Sequence, residues 1–196
     1  MTSSAVDPIR LFEETLARAV AAGPFDATAA ALATVDAAGR PSVRIVLVKS
    51  VDQRGFVFHT NRQSRKGREL AENPRAALCF HWPAIGEQVR VEGTVAVIPD
   101  AESDAYFATR PRASQLGAWA SRQSAELSGR EALEAAVRDV ERRYAAVADV
   151  PRPPFWGGYV LAPERIEFWR SRESRLHDRV LYVRDGALWR AHLLSP

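Results

Sequence analysis

Ala29-Ala-Ala-Leu-Ala-Thr-Val35, Asp36-Ala-Ala-Gly39 and Pro41-Ser-Val-Arg-Ile-Val-Leu-Val-Lys-Ser-Val51 follow one another as a short apolar run, a turn signal and a β-branched run. That succession reads as a β-hairpin. The same grammar continues down the chain. Asp52-Gln-Arg-Gly55 turns into a strand over 56–60, and strands over 76–82 and 87–98 are joined by Pro83-Ala-Ile-Gly86. In the second of these, Gln88, Arg90 and Glu92 alternate with Val89, Val91 and Gly93, the pattern of a sheet with one wet face. Runs over 159–161, 165–170, 180–184 and 187–194 complete the set, the last two joined by Asp185-Gly186, a strong two-residue hairpin signal.

Helices are expected between these strands. Asp7 caps a helix running to about Ala22, with Pro8 at its first position and apolar residues at Ile9, Leu11, Phe12, Leu16 and Val20. Ser64 caps a helix that ends near Asn73-Pro74, and Asp100 caps a short one that Pro111 ends. Ser128-Gly-Arg-Glu131 reads as a capping box for a helix to about Ala146, whose Leu133, Val137 and Val140 form the buried side. About eight strands in antiparallel hairpins, with helices inserted, describe a mainly β, α+β fold. A β-barrel or strongly curved sheet fits this pattern and a doubly wound sheet does not.

The 196 residues, 46% apolar and 26% charged, suit one domain over 1–196, with residues 1–6 expected as a disordered tail. A single cysteine, Cys79, excludes an internal disulfide. No apolar run is long enough to span a bilayer, and the N-terminus lacks the pattern of a secretory signal, so the expected location is the cytoplasm and no membrane partner is expected. His59, His81, His177 and His192 show no metal-ligand spacing, so no metal is expected. There is no G-x-G-x-x-G, no phosphate-binding loop of the G-x-x-x-x-G-K type, and no Ser, His and Asp set announcing a hydrolase. The net charge of +3 and pI near 9.4 suggest anionic partners. Nucleic acid is not among them, because the basic residues are dispersed and not interleaved with aromatic stacking platforms.

The distribution of cations is more informative. Among 27 basic residues only Lys49 and Lys66 are lysines, compact point charges in a chain that otherwise uses the planar fork of arginine. Arg44 and Lys49 lie in the second strand of the hairpin, costly if buried without a partner, and five residues apart they project to opposite faces. Arg65 and Lys66 fall in the first turn after Ser64, where the helix dipole disfavours cations unless an anion binds. The stretch from Arg110 to Ser124 holds three arginines, three serines and two glutamines with no acid. It reads as a donor-rich loop suited to phosphate, with a solvated basic surface as the competing reading. Tyr106 and Arg110, four apart, share a face beside it. Residues 171–179 form a second arginine-rich loop.

Four separated blocks then match one pattern: Arg44-Ile-Val-Leu-Val-Lys49, Ser64-Arg-Lys66, Arg110-Pro-Arg-Ala-Ser-Gln-Leu-Gly-Ala-Trp119 with Gln123-Ser124, and Phe168-Trp169 with Arg175-Leu-His-Asp-Arg179. Together, from Asp7 to Pro196, the chain resembles the pyridoxamine 5′-phosphate oxidases. The resemblance implies an FMN-binding split β-barrel of antiparallel Greek-key type, a homodimer with FMN at the subunit interface. The implied reaction is oxidation of pyridoxamine or pyridoxine 5′-phosphate to pyridoxal 5′-phosphate, with O2 as acceptor and H2O2 as product. The implied FMN positions are Arg44, Ile45, Val46, Leu47, Val48, Lys49, His59, Thr60, Arg65, Lys66, Gln88, Gln123, Ser124, Trp169 and Arg179. Lys49, Tyr106, Arg110 and Ser114 are implied for the substrate phosphate, and Arg175 with His177 for the pyridine ring and catalysis.

Three departures from the family pattern stand out. Family members often carry a basic, tyrosine-containing segment before the first helix, whereas residues 1–6 here hold no arginine or tyrosine. A tyrosine often seen before Thr60 is His59, and Ser171-Arg172 replaces a more glycine-rich approach to Arg175. Two other readings compete: a flavin oxidase of the same fold acting on another aromatic substrate, such as a phenazine precursor, and a non-catalytic flavin-binding barrel. Neither accounts for the full substrate-phosphate set.

Overall fold

The hairpin forms as read. In the computed structural model, which describes residues 6–196, β1 (Ala29–Val35) and β2 (Pro41–Asp52) pair antiparallel, with Ala29 opposite Leu47 and Val35 opposite Pro41. The tail expected over residues 1–6 lies, Val6 apart, outside the described residues. Next come β3 (Gly55–Asn61), α2 (Arg65–Glu72), β4 (Arg75–Trp82) and β5 (Glu87–Val97), preceded in the chain by α1 (Pro8–Ala22). The strand order β3-β2-β1-β4 places the fourth strand beside the first after an up-and-down triplet, which is a Greek key whose long return is α2.

After α3 (Asp100–Thr109), α4 (Arg112–Ala120) and α5 (Arg130–Arg143), the long β6 (Trp156–Arg170) completes the barrel. One edge of β6 pairs with β5 from Tyr159 to Arg170. The other edge is divided: residues 156–161 pair with β3 and close six strands into a barrel, while residues 165–170 pair with β7 (Asp178–Asp185). A terminal hairpin of β7 and β8 (Leu188–Leu193), turning at Asp185-Gly186, therefore extends beyond the closed barrel. Pro163, which has no N–H to give, sits between the two pairing segments.

The barrel is filled by large apolar side chains. Phe12 of α1 is fully buried, with ring centroids 4.8 Å from Phe56 and 4.9 Å from Phe80 in edge-on contacts. The Asp7 carboxylate accepts the Ile9 N–H at 3.0 Å, so the helix begins where the sequence placed it. A second core joins Phe107, Leu116, Tyr144, Val150 and Trp156, tying α3 and α4 to the start of β6.

Four local expectations are corrected. The donor-rich stretch from Arg110 to Ser124 is a helix over most of its length, α4, with Gln115 and Leu116 buried. Pro111 both stops α3 and precedes α4, and only the second signal was missed. Ser128 does not cap α5: the helix starts after Gly129 with no side-chain cap, and Leu133, Val137 and Val140 are only half-buried. Asp100 is the first residue of α3, after Pro99. Finally, the runs expected over 159–161 and 165–170 are one strand, β6, continuous through Pro163.

Candidate active site

The end of β2, the end of β3, the α3–α4 corner and the start of β6 enclose a cleft of about 450 Å³. β2 supplies Lys49 and β3 supplies His59 and Thr60. Tyr106 projects from α3, Arg110 from its C-terminal cap, Ser114 from α4 and Gln123 from the segment after it. Trp156 at the start of β6 is the aromatic wall. No carboxylate lines this cleft. Neither Lys49 nor Arg110 forms an ion pair among the described residues, in a chain where most arginines do.

His59, Tyr106 and Trp156 form a parallel stack. The His59 ring lies 4.1 Å from Tyr106 and 5.3 Å from Trp156, centroid to centroid. The Arg110 guanidinium sits 4.8 Å from the Trp156 ring centroid and 5.5 Å from that of Phe107, a cation–π arrangement that holds the charge at the cleft without an acid. Both ring nitrogens of His59 and one terminal nitrogen of Arg110 are buried without a hydrogen-bond partner. Burial, with the Arg110 charge adding to it, pulls the His59 pKa down to about 4, so the imidazole is neutral at physiological pH. Burial raises the Tyr106 hydroxyl pKa, opposed by Arg110.

Behind Thr60 lies the second cation. Lys66 is 7% exposed, and its ammonium donates to Thr60 Oγ1 at 3.1 Å and Ser64 Oγ at 3.4 Å, both neutral hydroxyls. Burial lowers its pKa to about 8, with the Arg44 charge adding and Glu69 opposing. Ser64 caps α2 by accepting the Gly67 N–H at 3.3 Å. A buried ammonium without a carboxylate partner at a helix N-terminus is an arrangement suited to a phosphate. These residues fit the phosphate of a mononucleotide such as FMN. Thr60 Oγ1 in turn donates to Gln123 Oε1 at 3.2 Å, which links this site to the cleft.

The strand geometry sorts the remaining predicted positions. Arg44 and Lys49 do project to opposite faces, Arg44 inward toward Glu69 and Lys49 into the cleft past a bulge between Val48 and Ser50. The Val46 and Val48 side chains are buried in the core, which leaves only their main chain to meet any ligand. Ile45 and Leu47 face outward. Gln88 stands opposite Trp169, and Trp169 opposite Arg179. Trp169, His177 and Arg179 line a different cleft of about 430 Å³, bounded by α1 and the terminal hairpin. There Arg179 donates to Glu167 at 2.8 Å and to the Ser195 carbonyl at 2.9 Å. His177 Nδ1 accepts the Arg172 N–H at 3.2 Å, which leaves the neutral ring's proton on Nε2. The connecting loop places Ser174 (φ 56°) and Arg175 (φ 62°) in the left-handed region, and Arg172 pairs with Asp178 at 2.6 Å.

One chain thus gathers Lys49, His59, Thr60, Tyr106, Arg110, Ser114 and Gln123, and keeps Trp169, His177 and Arg179 in another place. Ser124 (φ 71°) follows Gln123 but lines neither cleft. Trp156 and Glu69 went unread in the sequence. Glu69, four residues after Arg65, carried an i,i+4 ion-pair signal; Trp156 carried none beyond the adjacent Gly157-Gly158. Arg112 is structural: it donates to the carbonyls of Tyr144 at 2.7 Å and Ala148 at 2.9 Å, closing the end of α5. Arg122 is exposed.

Comparison with known proteins gives a consistent picture. The family model for pyridoxamine 5′-phosphate oxidase matches residues 16–144, and that for the pyridoxine 5′-phosphate oxidase C-terminal dimerisation region matches residues 156–196. The pyridoxine/pyridoxamine 5′-phosphate oxidase of Anaeromyxobacter dehalogenans is 67% identical, covering 99% of this chain and 98% of its own. That of Rubrobacter xylanophilus is 56% identical over 97% and 87%. Among solved structures, PhzG from Burkholderia lata 383, in complex with tetrahydrophenazine-1-carboxylic acid, has a TM-score of 0.92 at 37% identity, covering 99% of this chain and 95% of its own. An FMN-binding protein from Nostoc punctiforme has a TM-score of 0.77 at 19% identity, over 98% and 100%, and shares the fold.

Proposed function

The chain belongs to the pyridoxamine 5′-phosphate oxidase family, and from that premise we propose that it is an FMN-dependent oxidase converting pyridoxamine or pyridoxine 5′-phosphate to pyridoxal 5′-phosphate, with O2 consumed and H2O2 released. The observation that carries the substrate reading is the acid-free cleft in which Lys49 and Arg110 stand without ion-pair partners beside Tyr106 and Ser114. Two cations and two hydroxyls at one wall suit a phosphate dianion. That phosphate is a remote handle whose binding energy aligns the reacting end of the molecule.

FMN, when bound, supplies the two-electron acceptor that no side chain of this protein provides. Lys66, Arg65 and Arg44 hold its phosphate at the start of α2, and Thr60 and Gln123 join that site to the substrate cleft. Trp169, Arg175, His177 and Arg179 come to the same reaction centre from the second subunit of a homodimer, with FMN at the interface. The match of residues 156–196 to a dimerisation region supports this, as does the separation of the two clefts within one chain. With Nδ1 occupied, His177 offers Nε2–H as a donor that orients the pyridine ring, and Arg175 covers it.

The likeness to PhzG favours a second reading, a flavin oxidase acting on a reduced phenazine carboxylic acid. One assay separates the readings. The purified protein is checked for a flavin spectrum, then given pyridoxine 5′-phosphate or tetrahydrophenazine-1-carboxylic acid under air, and peroxide and pyridoxal 5′-phosphate are followed. The vitamer phosphate is expected to turn over. A yellow protein that ignores it and oxidises the phenazine would favour the second reading, and one that oxidises neither a non-catalytic barrel.

A further inference from the structure

Glu69 is 4% exposed and belongs to neither cleft, yet it takes four hydrogen bonds from three elements. Its Oε2 accepts from Thr34 Oγ1 of β1 at 2.5 Å, from Ser42 Oγ of β2 at 2.6 Å and from Arg44 Nη2 at 3.1 Å. Its Oε1 accepts from Arg65 Nε of α2 at 2.8 Å. The Thr34 and Ser42 hydroxyls also receive the two Nη groups of Arg44, so carboxylate, hydroxyls and guanidinium form one closed network. Burial pushes the Glu69 carboxyl up, and the bonds from Ser42, Thr34 and Arg65 with the Arg44 charge outweigh it, holding the pKa at about 2. The group is ionised at every working pH.

A counterion for a basic first turn needs only to be nearby. This one does more, because it is itself immobilised by two hydroxyls and so fixes the direction of each arginine. Arg65 spends only its Nε on Glu69, and its two Nη groups donate to no other described residue. Arg65 is the first residue of α2, directly before the buried Lys66, and its side chain is more than half exposed. Arg44 is half-buried, and its two Nη groups are spent on the Leu32 carbonyl, Thr34, Ser42 and Glu69, so its charge is fixed in place with Nε as the one donor left. A planar fork held by one side has its remaining donors aimed, which removes most of the rotamer cost of gripping a phosphate.

We propose that Glu69 is a positioning residue for the flavin phosphate: it fixes the Arg44 charge in place and holds the Arg65 fork by its Nε so that the free Nη groups meet the anion, and thereby sets the preference for FMN over unphosphorylated flavin. The proposal rests on the FMN reading above. It makes a prediction opposite in sign to simple electrostatics. A carboxylate beside a phosphate site repels the phosphate, so removing its charge should tighten FMN if charge were its whole effect.

The test titrates flavin-free protein, full chain, with FMN and with riboflavin, reading quenching of flavin fluorescence, for wild type and Glu69→Gln. The expected result is that FMN affinity falls about tenfold while riboflavin affinity holds, so the FMN-to-riboflavin ratio falls by the same factor. An unchanged ratio, a raised one, or an equal fall for both flavins would overturn the proposal. Wild-type protein that binds no FMN would overturn the cofactor reading and this inference with it, which distinguishes the two failures. Thr34→Val and Ser42→Ala give an independent arm should Glu69→Gln not fold: each removes one hydroxyl while keeping the carboxylate and both arginines. Each is expected to lower the ratio about threefold, and an unchanged ratio in both would refute the clamp.

Discussion

Single residues set the pH behaviour of this protein. His59 stands in a stack that leaves both ring nitrogens unpartnered and its pKa near 4. The unfolded chain protonates this residue near 6.5, so stability drains as pH falls from about 6.5 toward 4. His59→Tyr is therefore expected to move acid unfolding, followed by tryptophan fluorescence, to lower pH; an unmoved midpoint would count against the buried neutral imidazole. Lys66 acts in the other direction. With its pKa near 8 in the flavin-free protein, it must hold a proton to bind a phosphate, so FMN affinity is expected to decline by up to about tenfold per unit above pH 8, measured by fluorescence titration. Arg110→Ala removes charge-assisted bonds from the substrate handle and is expected to raise KM for the vitamer phosphate about tenfold to a hundredfold. The cations themselves were legible as residues, because arginine-rich runs without acids need a partner. The roles of Trp156 and Glu69 were not, because their partners lie dozens of residues away in sequence.

At the level of elements, the close approach of β3, β6 and α3 depends on Gly157 and Gly158. A Cβ on Gly158 would fall inside contact distance of the Ile98 side chain and of His59 Cδ2, and one on Gly157 would meet the Arg62 guanidinium. Gly158→Ala is expected to destabilise the fold by about 1–3 kcal/mol through overpacking, read as a lowered midpoint in urea, and to loosen the His59 stack. Elements with local signals were legible. Asp7 and Ser64 cap where they were read, and the hairpins turn at Gly39 and Gly186, whose positive φ the sequence anticipated with Asp-x-x-Gly and Asp-Gly. Where two local signals competed, the reading failed. Pro111 was taken as a stop and not also as a start, and polar composition then hid α4, whose helical side is set by burying Gln115 and Leu116 against Phe107. Pro163 split the reading of β6 into two strands, since nothing local reveals that the strand changes partner there.

In the whole molecule, the two clefts define what assembly must do. If each reaction centre takes its phosphate grip from one chain and its Trp169, Arg175 and His177 from the other, two impaired variants should rescue each other when assayed at vitamer phosphate well below the raised KM of Arg110→Ala. Co-expressed Arg110→Ala and His177→Ala chains are expected to recover about a quarter of wild-type activity, because half of the dimers are mixed and each mixed dimer has one intact centre. No recovery in verified mixed dimers would place both sets within one chain. The division of β6 between two partners has a further consequence, for the order of events during synthesis. The closing pair joins residues 56–61 to residues 156–161, about a hundred positions later, so the barrel carries an open edge on β3 until nearly the whole chain exists. During that interval the exposed edge is the most aggregation-prone surface of the nascent protein. Any delay in making or releasing the segment from Trp156 to Leu161 lengthens the interval, whereas the terminal hairpin is not needed to end it.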